Sequence, residues 1–319
     1  MAIICTGSIA YDYLMSFPGY FKDHIIPEKL DSISLSFLVD SMIRQRGGTA
    51  PNIAYNLALL GEHPKLMGTV GEDFEDYQGW LNRNGVDTTL VERIDGVFTA
   101  SFFANTDLSN NQIASFYTGA MAYSKNLSIR DLDREDAELV VISPNDPTAM
   151  CKYGAECREL GIPYVYDPGQ QVVRSSPDEI HEGILGAQSL FINDYEFELI
   201  QKHTGLKAKE IIDAVDFVVV TLGEKGSDVW VKDTLVHIPP VQPSCIADPT
   251  GVGDAFRGGF LRGLRLGLDW QTCGQMGALA ATYCLENRGT QNHSYTIPEY
   301  IKRYRKLFDD QGALDALVN

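Results

Sequence analysis

Asp248-Pro249-Thr250-Gly251-Val252-Gly253-Asp254-Ala255-Phe256-Arg257-Gly258-Gly259-Phe260 decides the reading of this chain. It is a glycine-rich turn that runs straight into a helix, because Ala255, Phe256, Phe260, Leu261, Leu264 and Leu268 recur at the spacing of one buried helical face. Gly251 and Gly253 thus sit at a helix N-terminus. Backbone N–H groups there lack intrahelical partners, the helix dipole adds partial positive charge, and the missing Cβ atoms let an anion approach. That is a phosphate or oxyanion site. Asp254 beside it conflicts in charge with a bound polyphosphate, unless its task is to take a proton from an attacking hydroxyl. Asp is also favoured as a helix cap or in the first turn. Capping alone does not call for two aspartates bracketing a Gly-x-Gly turn, so Asp254 reads as a working carboxylate.

The chain of 319 residues can bury a large core, and no linker or repeat divides it, so residues 1–319 read as a single domain. A formal charge of −17 argues against a nucleic-acid or anionic-membrane surface. An anionic nucleotide must then be held by backbone amides, a metal and local cations. Six cysteines, without a Cys-x-x-Cys pair, read as reduced thiols. The first residues lack the basic start and long apolar run of a signal peptide, and no stretch of about 18 apolar residues occurs. The expected location is the cytoplasm.

Outward from the motif, residues 3–6 form a short apolar run fitting a buried parallel strand, and Asp12 follows where its carboxyl end opens, as a candidate for binding substrate hydroxyls or as a solvated loop residue. Residues 13–46 read as an irregular excursion. Arg46-Gly47-Gly48-Thr49-Ala50-Pro51-Asn52 then leads into a helix, with Thr49 as its expected cap and Gly61 at its end. The paired glycines admit a ligand to the backbone, and Asn52 offers one donor and one acceptor group. Two strands, 97–104 and 112–117, joined by a polar turn, interrupt the strand–helix alternation. With the excursion they suggest a small β-sheet lid built from about 13–46 and 96–123, on which Phe98 and Phe102 share one face and Phe103 takes the other. From residue 138 onward the βα rhythm is regular. Asn193-Asp194-Tyr195-Glu196 lies at a strand-to-helix junction, where Glu196 reads either as a water-mediated Mg²⁺ holder or as half of a capping box. Thr221-Leu222-Gly223-Glu224-Lys225-Gly226 at the next strand end suits a nucleotide phosphate or a plain tight turn, and the polar loop 286–293 could border a base or a monovalent cation.

Together, Gly47-Gly48…Asn52, Asn193-x-x-Glu196, Thr221-Leu222-Gly223…Gly226 and Asp248-x-Thr250-Gly251-Val252-Gly253-Asp254-Ala255-Phe256 resemble the ribokinase-like (PfkB) family of carbohydrate and nucleoside kinases, in that order and over nearly the whole chain. There is no Gly-x-x-x-x-Gly-Lys-[Ser/Thr], which excludes a P-loop kinase. The resemblance implies a doubly wound, mainly parallel sheet sandwiched by helices, with a β lid, and ATP and Mg²⁺ as phosphoryl source. It implies Asp254 as base on a hydroxymethyl group and Gly251, Val252 and Gly253 as an anion hole. Asn193 and Glu196 would organise Mg²⁺, and Asp12, Gly48 and Asn52 would bind sugar hydroxyls. Thr221, Gly223, Lys225, Gly226, Thr250, Asn287 and Asn193 would flank the nucleotide, and Asp248 would border a K⁺ site. Val252 replaces the family's more frequent alanine, which leaves the backbone donors in place.

The lid aromatics, Gly119-Ala120-Met121 and Asp254-Ala255-Phe256-Arg257-Gly258-Gly259-Phe260 look most similar to bacterial adenosine-kinase-like members. Phe102, Phe116, Met121 and Arg257 are accordingly expected on the acceptor side, and aromatic rings suit a nucleobase better than a bare sugar. A nucleoside, adenosine favoured, is the first expectation for the acceptor, with ribose or another small sugar as the alternative. A silent binding protein on the same fold is disfavoured by the retained Asp254, Asn193 and Glu196. The outer face of the lid leaves a homodimer and a monomer both open.

Overall fold

The computed structural model describes residues 2–26, 31–32, 34–132 and 137–318. The chain runs β1 (Ala2–Thr6), β2 (Ala10–Ser16), β3 (Ser41–Gly47), α1 (Thr49–Leu59), β4 (Lys65–Val70), α2 (Glu75–Arg83), β5 (Asp87–Arg93), β6 (Ala100–Thr106) and β7 (Gln112–Tyr117). It continues with β8 (Ala137–Ile142), α3 (Pro147–Leu160), β9 (Tyr164–Tyr166), α4 (Pro177–Ile184), β10 (Ser189–Asn193), α5 (Asp194–Thr204), α6 (Ala208–Asp213) and β11 (Phe217–Thr221). The hairpin β12 (Ser227–Val231) and β13 (Thr234–Ile238) precedes α7 (Val252–Arg265), α8 (Trp270–Leu285) and α9 (Ile297–Tyr304).

Nine strands form the main sheet in the order β13-β12-β11-β10-β9-β8-β1-β4-β5, parallel from β11 to β5 and closed at one edge by the antiparallel hairpin. Its central strands are nearly continuous apolar runs, such as Phe217-Val218-Val219-Val220, because helices cover both faces. One core packs α1, α2, α7, α8 and α9 against the sheet, and the other packs α3, α4, α5 and α6. From β1 the chain winds out through β4 to β5, and from β8 it winds the other way. The order reverses between β1 and β8, so a ligand crevice opens at the carboxyl ends of those strands. Among the described residues, no helix is long and apolar enough to cross a membrane.

The small sheet, ordered β3-β2-β6-β7, is the expected lid, but its make-up differs from the expectation. Residues 13–46 are not irregular throughout: β2 and β3 are paired from Ala10–Gly47 to Ser16–Ser41. Residues 27–30 and 33 of that excursion lie outside the described residues. β6 begins at Ala100, so Phe98 precedes the strand, 62 % exposed, and shares no strand face with Phe102. Phe103 does take the face opposite to Phe102, stacking on Tyr13 with ring centroids 4.8 Å apart. Residues 119–126 leave the lid for the core, where Thr69 Oγ1 donates to the Ala120 carbonyl at 2.7 Å.

Gly258 and Gly259 explain how α7 reaches the centre. A Cβ on Gly258 would lie 2.5 Å from Asn56 Cβ of α1, and one on Gly259 would lie 2.6 Å from the Met276 carbonyl of α8. The helix is clamped between two neighbours at backbone distance, which fixes where its first turn points. Gly259→Ala should therefore lower the unfolding free energy by about 1–2 kcal/mol, overpacking outweighing the better helix propensity of alanine. Denaturant unfolding of the variant checks this, and unchanged or higher stability would contradict the clamp.

Candidate active site

α7 starts from Gly251, whose φ of 77° and ψ of 1° is a left-handed conformation suited to glycine. Val252, Gly253 and Asp254 form the first turn, so the expected anion-hole amides and the expected base stand side by side. Asp254 Oδ2 accepts a hydrogen bond from Asn52 Nδ2 at 2.8 Å, and Asn52 on α1 is buried. Burial pushes the Asp254 carboxyl up to about 7, although Arg257 and the Asn52 hydrogen bond pull it down; the carboxylates of Asp167 and Asp12 push it further up. A carboxylate poised near neutrality suits a general base.

Arg257, expected on the acceptor side, has its guanidinium on Asp167 in this structure and lines the cleft beside Asp254. Its Nε sits 2.5 Å from Asp167 Oδ2, its Nη2 donates to Asp167 Oδ1 at 2.8 Å, and its Nη1 donates to the Gly253 carbonyl at 3.0 Å. Asp167 follows β9 and is buried. The cause of the pairing is electrostatic: a buried carboxylate needs a partner, and Arg257 stands one turn along α7 from Asp254.

Asn193 and Glu196 form the capping box of α5. Asn193 Oδ1 accepts from the Glu196 amide at 2.7 Å and Glu196 Oε2 accepts from the Asn193 amide at 2.8 Å. The same two residues line the cleft, and Glu196 is raised above the usual carboxyl range by burial and by Asp167. Asp167, Glu196 and Asp254 therefore face one cleft with a single arginine among them, a carboxylate-rich surface compatible with Mg²⁺. Among the described residues no three acidic, histidine or cysteine side chains are arranged to ligate a metal directly. Asp248 accepts from the amides of Thr250, at 2.9 Å, and Gly289, at 3.0 Å, and so ties the motif to the loop 286–293.

A cleft of about 1140 Å³ runs from Asn193, Glu196, Thr221, Gly223 and Gly226 to the start of α7 at Val252, Gly253 and Asp254. The same lining includes the apolar residues Val241, Ala278, Ala281 and Leu285. That combination of apolar and polar lining is what a nucleotide-sized ligand requires. Lys225 is exposed outside this lining, Thr250 is exposed beside it, and Asn287 donates to the Tyr283 carbonyl at the end of α8.

On the other side, strand register aligns Gln45, Asp12, Phe102 and Phe116 across β3, β2, β6 and β7, so all four project from one face of the lid. That face looks toward the start of α7: burial raises the Asp12 carboxyl to about 6 with Asp248 adding to the rise, and Asp12 in turn pushes up the Asp254 carboxyl. Met121 packs with Ala10 and Ala100 as a small buried cluster. Gly48, at φ 93°, is the N-cap of α1 without a side-chain cap bond; Thr49, the expected cap, is the first helical residue, and Ser8 Oγ accepts from its amide at 3.2 Å. Sequence reasoning missed Gln45, Asp167 and Gln291. Gln45 lies inside the excursion, whereas Asp167 carries a signal: it follows the apolar run Tyr164-Val165-Tyr166 at the carboxyl end of a parallel strand.

A doubly wound sheet, a glycine helix start beside a poised carboxylate, a nucleotide-sized cleft and a lid define a phosphotransferase acting on a hydroxyl group. The chain belongs to the pfkB family of carbohydrate kinases, whose model matches residues 21–297. It is 30 % identical to a nucleoside kinase of Methanocaldococcus jannaschii over 95 % of this chain and 97 % of that protein. It is similar in structure to Burkholderia thailandensis nucleoside kinase in complex with inosine, with a TM-score of 0.87, 34 % identity, and coverage of 96 % and 99 %. A second structure of that kinase, in complex with ADP-inosine, has a TM-score of 0.84 with 36 % identity, covering 96 % of each chain.

The raised Asp254 carboxyl carries a stability consequence. The folded protein holds this proton more tightly than the unfolded chain, so the stability it contributes is present below the usual carboxyl value of 3.8 and is lost as pH rises through about 7. Asp254→Asn should therefore stabilise the ligand-free protein at pH 8 by on the order of 2 kcal/mol, discounted for the open cleft mouth. The gain should vanish near pH 4. Unfolding curves at the two pH values check this, and a variant no more stable at pH 8 would contradict the desolvation.

Proposed function

We propose that this protein is an ATP-dependent nucleoside kinase that phosphorylates a hydroxymethyl group, with adenosine the favoured acceptor. The observation that carries this reading is the row Gln45, Asp12, Phe102 and Phe116 on the lid face that looks toward Asp254. Phe102 and Phe116 supply flat apolar area for a base, and Asp12 supplies a hydroxyl acceptor for the sugar. The nucleoside-kinase relatives and the inosine complex of the Burkholderia protein support the same acceptor class.

Asp254 takes the proton of the attacking hydroxyl, the new O–P bond forms to the γ-phosphorus, and ADP leaves. The amides of Gly251, Val252 and Gly253 face the charge that develops on the transferred group. Asn52 orients Asp254, and Asp12, Gly48 and Asn52 hold the sugar. Thr221, Gly223 and Gly226 border the nucleotide phosphates, while the apolar lining receives its base. Mg²⁺, held through water by Asn193 and Glu196, would spread the negative charge of the triphosphate. Closing the lid would exclude water and limit ATP hydrolysis.

ATP turnover measured against adenosine, inosine, other nucleosides, ribose and fructose tests the acceptor. Nucleosides should be turned over and adenosine best, whereas turnover of sugars alone would remove the nucleoside reading, and binding without turnover would favour a silent protein. Asp254→Asn should lower turnover by roughly 10²–10⁴-fold, the size of a general-base effect. In the free enzyme kcat/KM should fall as pH drops through about 7, where Asp254 gains its proton. Turnover of the variant within tenfold of wild type would end the base assignment.

A further inference from the structure

Behind Asp254 lies a chain of buried polar side chains that the reaction as described does not use. Gln291, in the loop after α8, is only 2 % exposed. Its Nε2 donates to Asn52 Oδ1 at 2.9 Å and to the Tyr77 hydroxyl at 2.5 Å. Tyr77 in turn donates to the Gly47 carbonyl at 3.0 Å, where β3 of the lid ends. Gln291 Oε1 has no partner among the described residues.

The directions of these bonds are mutually dependent. Tyr77 spends its proton on Gly47, so its oxygen must accept, and only the nitrogen end of the Gln291 amide can supply it. That nitrogen then also meets Asn52, whose oxygen must accept. The Asn52 nitrogen is left facing Asp254. An Asn52 amide turned the other way would set its oxygen against a carboxylate, favouring the protonated form of Asp254. We propose that Gln291 is a positioning residue for Asp254, acting through Asn52: its two donor bonds hold the Asn52 amide with the nitrogen toward the carboxylate. The same loop is pinned to the lid base by Thr290 Oγ1, which donates to the Arg46 carbonyl at 2.8 Å. Catalytic orientation and lid attachment thus share one segment.

This inference rests on Asp254 being the base. The other charged groups felt by Asp254 are Arg257 on α7, Asp167 after β9 and Asp12 on β2, none of which contacts Gln291 through a hydrogen bond. The test compares full-length wild type, Gln291→Met, Gln291→Glu, Asn52→Leu, the Gln291→Met/Asn52→Leu double variant and Asp254→Asn, each checked by thermal unfolding. For Gln291→Met, kcat should fall about tenfold or more and the acid limb of kcat/KM should move up by about one pH unit, the size of a lost hydrogen bond to an ionised group. KM for ATP should hold. In the Asn52→Leu background the Gln291→Met loss should disappear. Gln291→Glu, which presents acceptors only, should also move the limb up, and it carries the test if Gln291→Met does not fold. An unmoved acid limb in a folded variant, additive losses, or failure of both variants to fold would overturn the proposal. An active Asp254→Asn would instead overturn the base assignment on which it rests.

Discussion

A half-buried carboxylate crowded by like charges at the first turn of a helix is the constraint on which this structure depends. Asp254 stands where glycine amides and the helix dipole favour negative charge, yet burial and the nearby Asp167 and Asp12 oppose its ionisation. The balance leaves it near the protonation range in which it can exchange a proton with a hydroxyl. Three things maintain that balance: the clamp of α7 between α1 and α8, the Asn52 hydrogen bond, and the Arg257 charge one turn on. Without the Gly258-Gly259 approach the helix would stand off, and the first turn would miss Asn52.

Arg257 serves this balance by its charge. Its guanidinium is paired with Asp167, and its charge is still the largest pull lowering the Asp254 carboxyl. The pair also sits beside Glu196, which places matched and unmatched carboxylates along one wall of the cleft. The cleft reaches the α7 start with strand ends and apolar helix surface, and the lid contributes a separate row of side chains whose Asp12 acts on Asp254. The main sheet sets both, since its order reverses between β1 and β8.

Much of this was legible in the sequence. The α7 motif, the buried parallel strands and the Asn193–Glu196 junction carry local signals: glycines before an apolar helical period, continuous apolar runs, and a fixed three-residue spacing. The lid was harder. β2 and β3 lie in a sheet with one face toward a wet site and the other half-exposed, so Tyr13, Leu14, Met15, Met42 and Ile43 show no clean alternation of apolar and polar residues. The pairing of Arg257 with Asp167 is not legible, because the two stand 90 positions apart and pairing at that distance leaves no local trace. Gln291 stood in a loop recognised only as polar; its bonds to Asn52 and Tyr77 exist because the fold brings α1, α2 and that loop together.

The central claim concerns one proton. Carbon-13 NMR of the ligand-free protein, labelled at aspartate and assigned by comparison with Asp254→Asn, follows the Asp254 carboxyl through a pH titration. A midpoint near 7 is expected from its burial among like charges. A midpoint at the ordinary aspartate value of 3.8 would show that partial burial and the neighbouring carboxylates do not hold this proton, and the account of the site would fall with it.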